Sequence, residues 1–188
     1  MRDERKVVDL TGKPTMNVKK TALLLLCSIF IVIAIYYAYP AEKIPKGVII
    51  DKIVVLKSEH TLKAYSKGAL VVTYRIAIGK NPAGNKEFEG DMKTPEGVYT
   101  INDKNPNSDF HKNLGISYPS AYDIDRAERI GKSPGGDIKI HGLKNGLGLI
   151  GKFHRWQDWT NGCIALTDDE IDQLYEHTPI GTSIEITK

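Results

Sequence analysis

Cysteine is nearly absent from this chain: 188 residues hold two, Cys27 and Cys163. That excludes a disulfide-stapled scaffold and paired-cysteine metal sites. Surplus charge is missing from the body of the chain as well. Six basic residues stand against three acidic ones in Met1–Lys20, and the remainder carries twenty of each, so the formal +3 belongs to the N-terminal stretch. A nucleic-acid surface needs a basic face on the folded part, so no nucleic-acid partner is expected. There is no internal repeat and no low-complexity segment. Hydrophobic residues make up 41% and charged residues 26%, a globular rather than a disordered balance.

Charge is also absent from Thr21 to Tyr39, TALLLLCSIFIVIAIYYAY. As a helix rising about 1.5 Å per residue, this run is roughly 28 Å long, close to the hydrocarbon core of a bilayer. Lys19 and Lys20 precede it and Tyr36, Tyr37 and Tyr39 close it, which orients the N-terminus inside and the C-terminus outside. A cleaved signal peptide has a shorter apolar run followed by an Ala-x-Ala site, and neither is present. The expected organisation is a cytoplasmic basic tail at 1–20, a transmembrane signal anchor at 21–39, a linker at 40–47 with Pro40 and Pro45, and one folded domain at 48–188. Cys27 lies in the membrane run, so Cys163 has no disulfide partner in an oxidising compartment. A thiol left free there calls for a chemical reason.

The domain reads as mainly β. Val48–Leu56 is rich in β-branched residues, and Thr61–Ser66 and Ala69–Ile78 flank the turn signal Lys67-Gly68, as in a hairpin. Gly79–Gly97 is a long polar loop of the kind that carries function. Val98–Asn102 and Leu114–Tyr118 are short strands separated by a loop at Asp103–Asn113, and Ala121–Ile130 is a short helix ended by Gly131. Ile138–His141 alternates and delivers His141 at a strand end. Cys163–Leu166 is another strand. Thr167 with Glu170 three residues on marks a helix start, and Ile171, Leu174 and Tyr175 give that helix a buried face. Pro179 stops it, and Thr182–Ile186 is the last strand.

The chemistry-bearing residues cluster in one stretch, HGLKNGLGLIGKFHRWQDWTNGCIAL, from His141 to Leu166. A thiol is only slightly ionised at neutral pH, and a neighbouring imidazole that takes its proton makes it a nucleophile. The alternative is that Cys163 is a small buried hydrophobe in an apolar strand. The base is either His141, on a strand end, or His154, in a charged aromatic loop that reads as the more mobile of the two. Gly162 lets a substrate approach the backbone and leaves N–H groups to face an oxyanion. Trp156 and Trp159 either wall the substrate or pack the loop. His60, His111 and His177 read as surface or capping residues. Gly146-x-Gly148-x-x-Gly151 matches a dinucleotide fingerprint as a string but lacks the strand and helix around it. His141, His154 and Cys163 match no standard zinc spacing, so neither a metal nor another cofactor is expected.

Three motifs together resemble one family. His141-Gly142, then Thr160-Asn161-Gly162-Cys163-Ile164 at the proper distance, and Asp91-x-Lys93-Thr94-Pro95-x-Gly97-Val98-Tyr99 are similar to the signature of the L,D-transpeptidase (YkuD-type) catalytic domain. The resemblance covers roughly Val48–Lys188. It implies a YkuD-like β-sandwich or barrel with one or two short helices. It also implies a peptidoglycan L,D-transpeptidase that attacks the third residue of a stem tetrapeptide and holds the acyl group on Cys163. An amine from another stem, or from an anchored protein, then resolves the thioester. On this mapping Cys163 is the nucleophile, His141 the base, and the Gly142 carbonyl orients the imidazole. The Gly162 and Cys163 N–H groups hold the oxyanion, with Thr160, Asn161, Trp156 and Trp159 around the substrate. The implied setting is the inner membrane, with the domain on the periplasmic side. Asn161 stands where the family usually has His, and Ala165 where it usually has Arg. These departures keep open a hydrolase of wall-peptide linkages and an inactive wall-binding domain; a general cysteine peptidase is a third reading.

Overall fold

The computed structural model describes residues 18–188; most of the expected basic tail, residues 1–17, lies outside the described residues. The chain divides into a unit ending at Pro40 and a unit spanning Ala41–Lys188. In the first, helix α1 runs Val18–Ala38, three residues earlier than the apolar run begins, and is long and apolar enough to cross a membrane. The second unit includes most of the expected linker, because Ile44 is buried and its N–H donates to Gln173 Oε1 at 2.8 Å.

The second unit is a single eight-stranded sheet. Its strands are β1 (Lys52–Leu56), β2 (Thr61–Ser66), β3 (Ala69–Arg75), β4 (Gly97–Ser108), β5 (His111–Ile116), β6 (Lys139–His141), β7 (Ile164–Ala165) and β8 (Ser183–Thr187), in the spatial order β3-β2-β1-β8-β4-β5-β6-β7. Beyond β3 the chain bridges to the opposite edge, Ala77 to Ala165 and Gly79 to Thr160, so the sheet curls into a half-barrel. Alternation explains the core. Ile53 and Val55 of β1, Val72 and Tyr74 of β3, and Ile184 and Ile186 of β8 are buried while their neighbours are not; in β2, Leu62 and Ala64 are buried on either side of Lys63, and Thr61 at the strand start is buried too. Each fully buried isoleucine contributes roughly 1.5–3 kcal/mol of transfer free energy.

Two helices accompany the sheet. Helix α2 (Ala121–Arg129) is closed at its start by a reciprocal Ser120–Asp123 capping box. Helix α3 (Asp168–His177) buries Ile171 and Leu174, as its periodicity predicts, and Glu170 reaches back to the Thr167 N–H at 3.1 Å. The expected loop at Asp103–Asn113 is instead the tip of the long β4–β5 hairpin. Its polar residues hold a strand because backbone pairing, not burial, defines it: Asp103 pairs with Gly115 and Asn105 with Asn113.

Candidate active site

Strands β6 and β7 run parallel, with Ile140 opposite Ile164 and His141 opposite Ala165. One step back along the register puts Lys139 beside Cys163. Side chains alternate across a sheet, so Ile140 and Ile164 go to the fully buried face. Lys139, His141 and Cys163 share the other face, and all three line one cleft of about 960 Å³.

His141 is 5% exposed, and its Nδ1 lies 2.7 Å from the Gly142 carbonyl oxygen. A carbonyl only accepts, so Nδ1 carries the proton and Nε2 keeps its lone pair. Gly142 is packed too closely for a side chain: a Cβ there would meet Asp168 Oδ1 at 2.8 Å and His111 Cβ and Ile171 Cγ2 at 3.0 Å. Burial pushes the His141 pKa below 6.5; the Gly142 carbonyl opposes the shift and the Lys139 ammonium adds to it. Burial pushes the Cys163 thiol up, partly offset by the Lys139 backbone N–H and ammonium. Both shifts favour the uncharged forms, imidazole and thiol, at neutral pH. The thiol also lies 3.5 Å from the Asp137 carbonyl oxygen.

The turn before the thiol is locked from two sides. Thr160 Oγ1 accepts the Gly162 N–H at 3.1 Å and donates to the Cys163 carbonyl at 2.7 Å. The Gly162 N–H, one of the two expected oxyanion donors, is therefore already engaged by a side chain. Gly162 has φ 132°, and a Cβ on it would sit 2.7 Å from the Lys93 carbonyl oxygen. The expected polar loop before β4 is thus the bed on which the turn lies. Its order comes from buried cations. Lys57 Nζ donates to the Gly84 and Thr94 carbonyls at 2.6 and 3.0 Å and to Glu96 at 2.8 Å. The buried Lys86 pairs with Asp91 at 2.9 Å. Burial alone would raise the Asp91 pKa; the Glu87, Lys93 and Phe88 N–H groups and Lys86 outweigh it and lower it. Asn161 is exposed and accepts from Lys80 Nζ at 3.3 Å.

Between His141 and Cys163 the chain forms a 3-10 segment, Gly148–Trp156, kinked at Gly151. One ion pair fastens it, and Asp158 anchors the chain just beyond it. Arg155 bonds Glu170 of α3, with the two side chains only 10% and 4% exposed. Asp158 accepts the Ile78 N–H at 2.9 Å through one oxygen and bonds His60 Nε2 at 2.9 Å through the other. Trp159 stacks on Phe110 and meets the His141 ring edge-on, with centroids 6.1 and 5.6 Å apart. Its Nε1 donates to His154 Nδ1 at 3.4 Å. His154 is buried: burial, then Arg155 and His141, pull its pKa down to about 3. With Nδ1 accepting, its proton sits on Nε2, which has no protein partner. Trp156 stays 70% exposed at the cleft, its ring edge-on to Phe153. Among the described residues, no group of three or more His, Cys, Asp or Glu side chains is arranged to hold a metal ion.

A family model described as the L,D-transpeptidase catalytic domain (YkuD) matches residues 50–186. The chain belongs to this L,D-transpeptidase family. It is 30% identical over 128 residues to YafK of Escherichia coli strain K12, a protein named provisionally as an L,D-transpeptidase; the match covers 65% of this chain and 44% of that protein. The chain thus spans under half the length of that relative. YqjB of Bacillus subtilis strain 168, named in the same way, is 28% identical over 165 residues, covering 86% of this chain and 84% of that one. Among solved structures, the helical cell shape determining protein Pgp2 of Campylobacter jejuni superposes with a TM-score of 0.56 at 22% identity, over 81% of this chain and 53% of that one. That likeness establishes a shared fold.

Within this L,D-transpeptidase domain the structure brings His141, Thr160, Asn161, Cys163, Trp156 and Trp159 to one cleft, with Gly142 and Gly162 as backbone neighbours behind it. Sequence reasoning missed Lys139, Lys80 and Phe110. The alternation of Ile138-Lys139-Ile140-His141 already placed Lys139 on the face of His141; Phe110 left no local signal. His60 and His111 are half-buried and paired with Asp158 and Asp172, and His177 Nδ1 bonds the Val48 carbonyl at 2.7 Å.

Proposed function

We propose that this chain is a peptidoglycan L,D-transpeptidase that works through a Cys163 acyl-enzyme on stem tetrapeptides. On this reading α1 is a single-pass anchor in the inner membrane and the domain lies on the periplasmic side. The observation that carries the reading is the His141 imidazole, fixed through Nδ1 by the Gly142 carbonyl, on the same sheet face and in the same cleft as Cys163.

The steps follow from a neutral resting pair. His141 Nε2 takes the Sγ proton as sulfur attacks the carbonyl carbon of the third stem residue. The Cys163 N–H faces the oxyanion; the Gly162 N–H joins it only by giving up Thr160 Oγ1. Collapse breaks the peptide C–N bond, and His141 returns the proton to the departing D-alanine amine. An amine acceptor then attacks the thioester, His141 takes the acceptor's proton, and the thiol is restored. Desolvation raises the thiol pKa, so proton removal accompanies attack rather than preceding it.

A hydrolytic outcome has a specific observation behind it. Ala165, where the family usually has arginine, is fully buried and tied in both directions to Ala77, so that position offers an acceptor nothing. Full-length protein in detergent, incubated with disaccharide-tetrapeptide with and without an added amine, distinguishes the two: D-alanine release with amine incorporation is transfer, and release without incorporation is hydrolysis. Processing that persists in Cys163→Ala would exclude both.

A further inference from the structure

Positive charge surrounds the thiol from two elements. Lys139 and Cys163 each directly precede the paired residues Ile140 and Ile164 of β6 and β7, and the Lys139 backbone N–H bonds the thiol. Its ammonium acts on both reacting groups, lowering the His141 pKa and offsetting the burial of Cys163. Lys80, on the segment after β3, reaches the same turn and donates to Asn161 Oδ1 at 3.3 Å. Both lysines line the cleft. Lys144 is a third cation there, and the acidic groups are Asp109 and Asp137. Asp137 pairs with Lys139 at 3.3 Å, but its own side chain is 90% exposed, so solvent screens the pair and a ligand can displace it at little cost. With imidazole and thiol both neutral at rest, the nucleophile does not use up this charge.

We propose that Lys139, supported by Lys80, is a specificity-determining residue that receives a substrate carboxylate next to the scissile carbonyl. The assignment rests on the reading of Cys163 as a peptide-acylating nucleophile. Paired strands lie about 4.8 Å apart, so the Lys139 stem starts one strand spacing from the thiol. The carboxylates of the residues flanking the attacked bond are then the nearest ones for it to meet. Two sources fit: the terminal carboxylate of the leaving residue, and the side-chain carboxylate of the acyl residue. Either forms a charge-assisted hydrogen bond with the ammonium, and the partly buried stem raises its strength above that of an exposed pair.

The test uses full-length Cys163→Ala protein in detergent, which binds without turning over, and calorimetric binding of three peptides. These are a stem tetrapeptide whose third residue carries a side-chain carboxylate, the same peptide ending in carboxamide, and one with lysine at the third position, which lacks that side-chain carboxylate. The tetrapeptide is expected to bind roughly tenfold more tightly than whichever analogue lacks the recognised carboxylate. Adding Lys139→Gln abolishes that ratio, and Lys139→Arg keeps it. A ratio that is absent at the outset, or that survives Lys139→Gln, overturns the assignment while leaving Cys163 chemistry intact. Failure of all three peptides to bind overturns the stem-peptide reading together with this one.

Discussion

Replacing Arg155 by Met tests whether the segment over the cleft is held by a buried ion pair. The change keeps most of the side-chain volume and removes only the cation from a pair whose members are 10% and 4% exposed. Breaking a buried pair from one side costs about 3–5 kcal/mol, because the remaining charge is stranded. Glu170 keeps the Thr167 N–H at 3.1 Å and sits in the first turn of α3, where the helix dipole favours an anion. The loss should therefore fall near the lower limit, about 3 kcal/mol. At about 2–4 °C per kcal/mol for a domain of this size, Tm drops by roughly 6–12 °C. Adding Glu170→Gln removes the stranded charge and keeps an oxygen for the Thr167 N–H, so the double variant should recover about half of the loss or more. Calorimetry or near-ultraviolet circular dichroism in one detergent reads both effects. An Arg155→Met melt within about 2 °C of wild type would refute the reasoning, as would a double variant less stable than the single one.

Gly162→Ala should abolish activity, because its Cβ would lie 2.7 Å from the Lys93 carbonyl oxygen at a φ of 132°; a variant with normal turnover contradicts the packing described. Gly79→Ala should destabilise the loop before β4 more severely, since its Cβ would meet the Met92 carbonyl oxygen at 2.2 Å; limited proteolysis of that loop reads the effect. The pH profile of kcat/KM should hold a plateau from below pH 6.5 to above pH 9, since His141 must be neutral and its pKa is lowered, while the Cys163 thiol is raised; an acid limb centred above pH 6.5 would count against His141 as the base. His154 makes stability itself pH-dependent. Its folded pKa of about 3 lies below the unfolded 6.5, so its contribution is complete above pH 6.5 and is lost as pH falls toward 3. The full loss is on the order of several kcal/mol. His154→Phe should flatten urea-unfolding free energies over that range, and an unchanged slope would show that His154 is solvated.

Much of the architecture is legible in particular residues. Alternation at Ile53 and Val55 and at Ile184 and Ile186 marks core strands, and the Thr167–Glu170 pair starts α3 where the structure has it. The β4–β5 hairpin is not legible, because Asp103, Asn105 and Asn113 pair through backbone and present no apolar alternation. The stretch Phe153–Trp159 reads from its sequence as a charged aromatic loop. It is fastened by partners distant in sequence, Glu170 for Arg155 and the Ile78 N–H for Asp158, and no local pattern announces such contacts. The engagement of the Gly162 N–H is a different omission. Thr160 lies two residues away, and a threonine hydroxyl accepting a nearby backbone N–H is a local habit that the sequence did contain.

The central claim is that the peptide becomes covalently attached to Cys163. Full-length protein mixed with disaccharide-tetrapeptide, quenched in acid and digested, should yield a Cys163-containing fragment heavier by the tripeptidyl-disaccharide acyl group. Hydroxylamine should remove that mass, and Cys163→Ala should not acquire it. D-alanine release that proceeds with no adduct on Cys163, or an adduct on any other residue, would contradict the account.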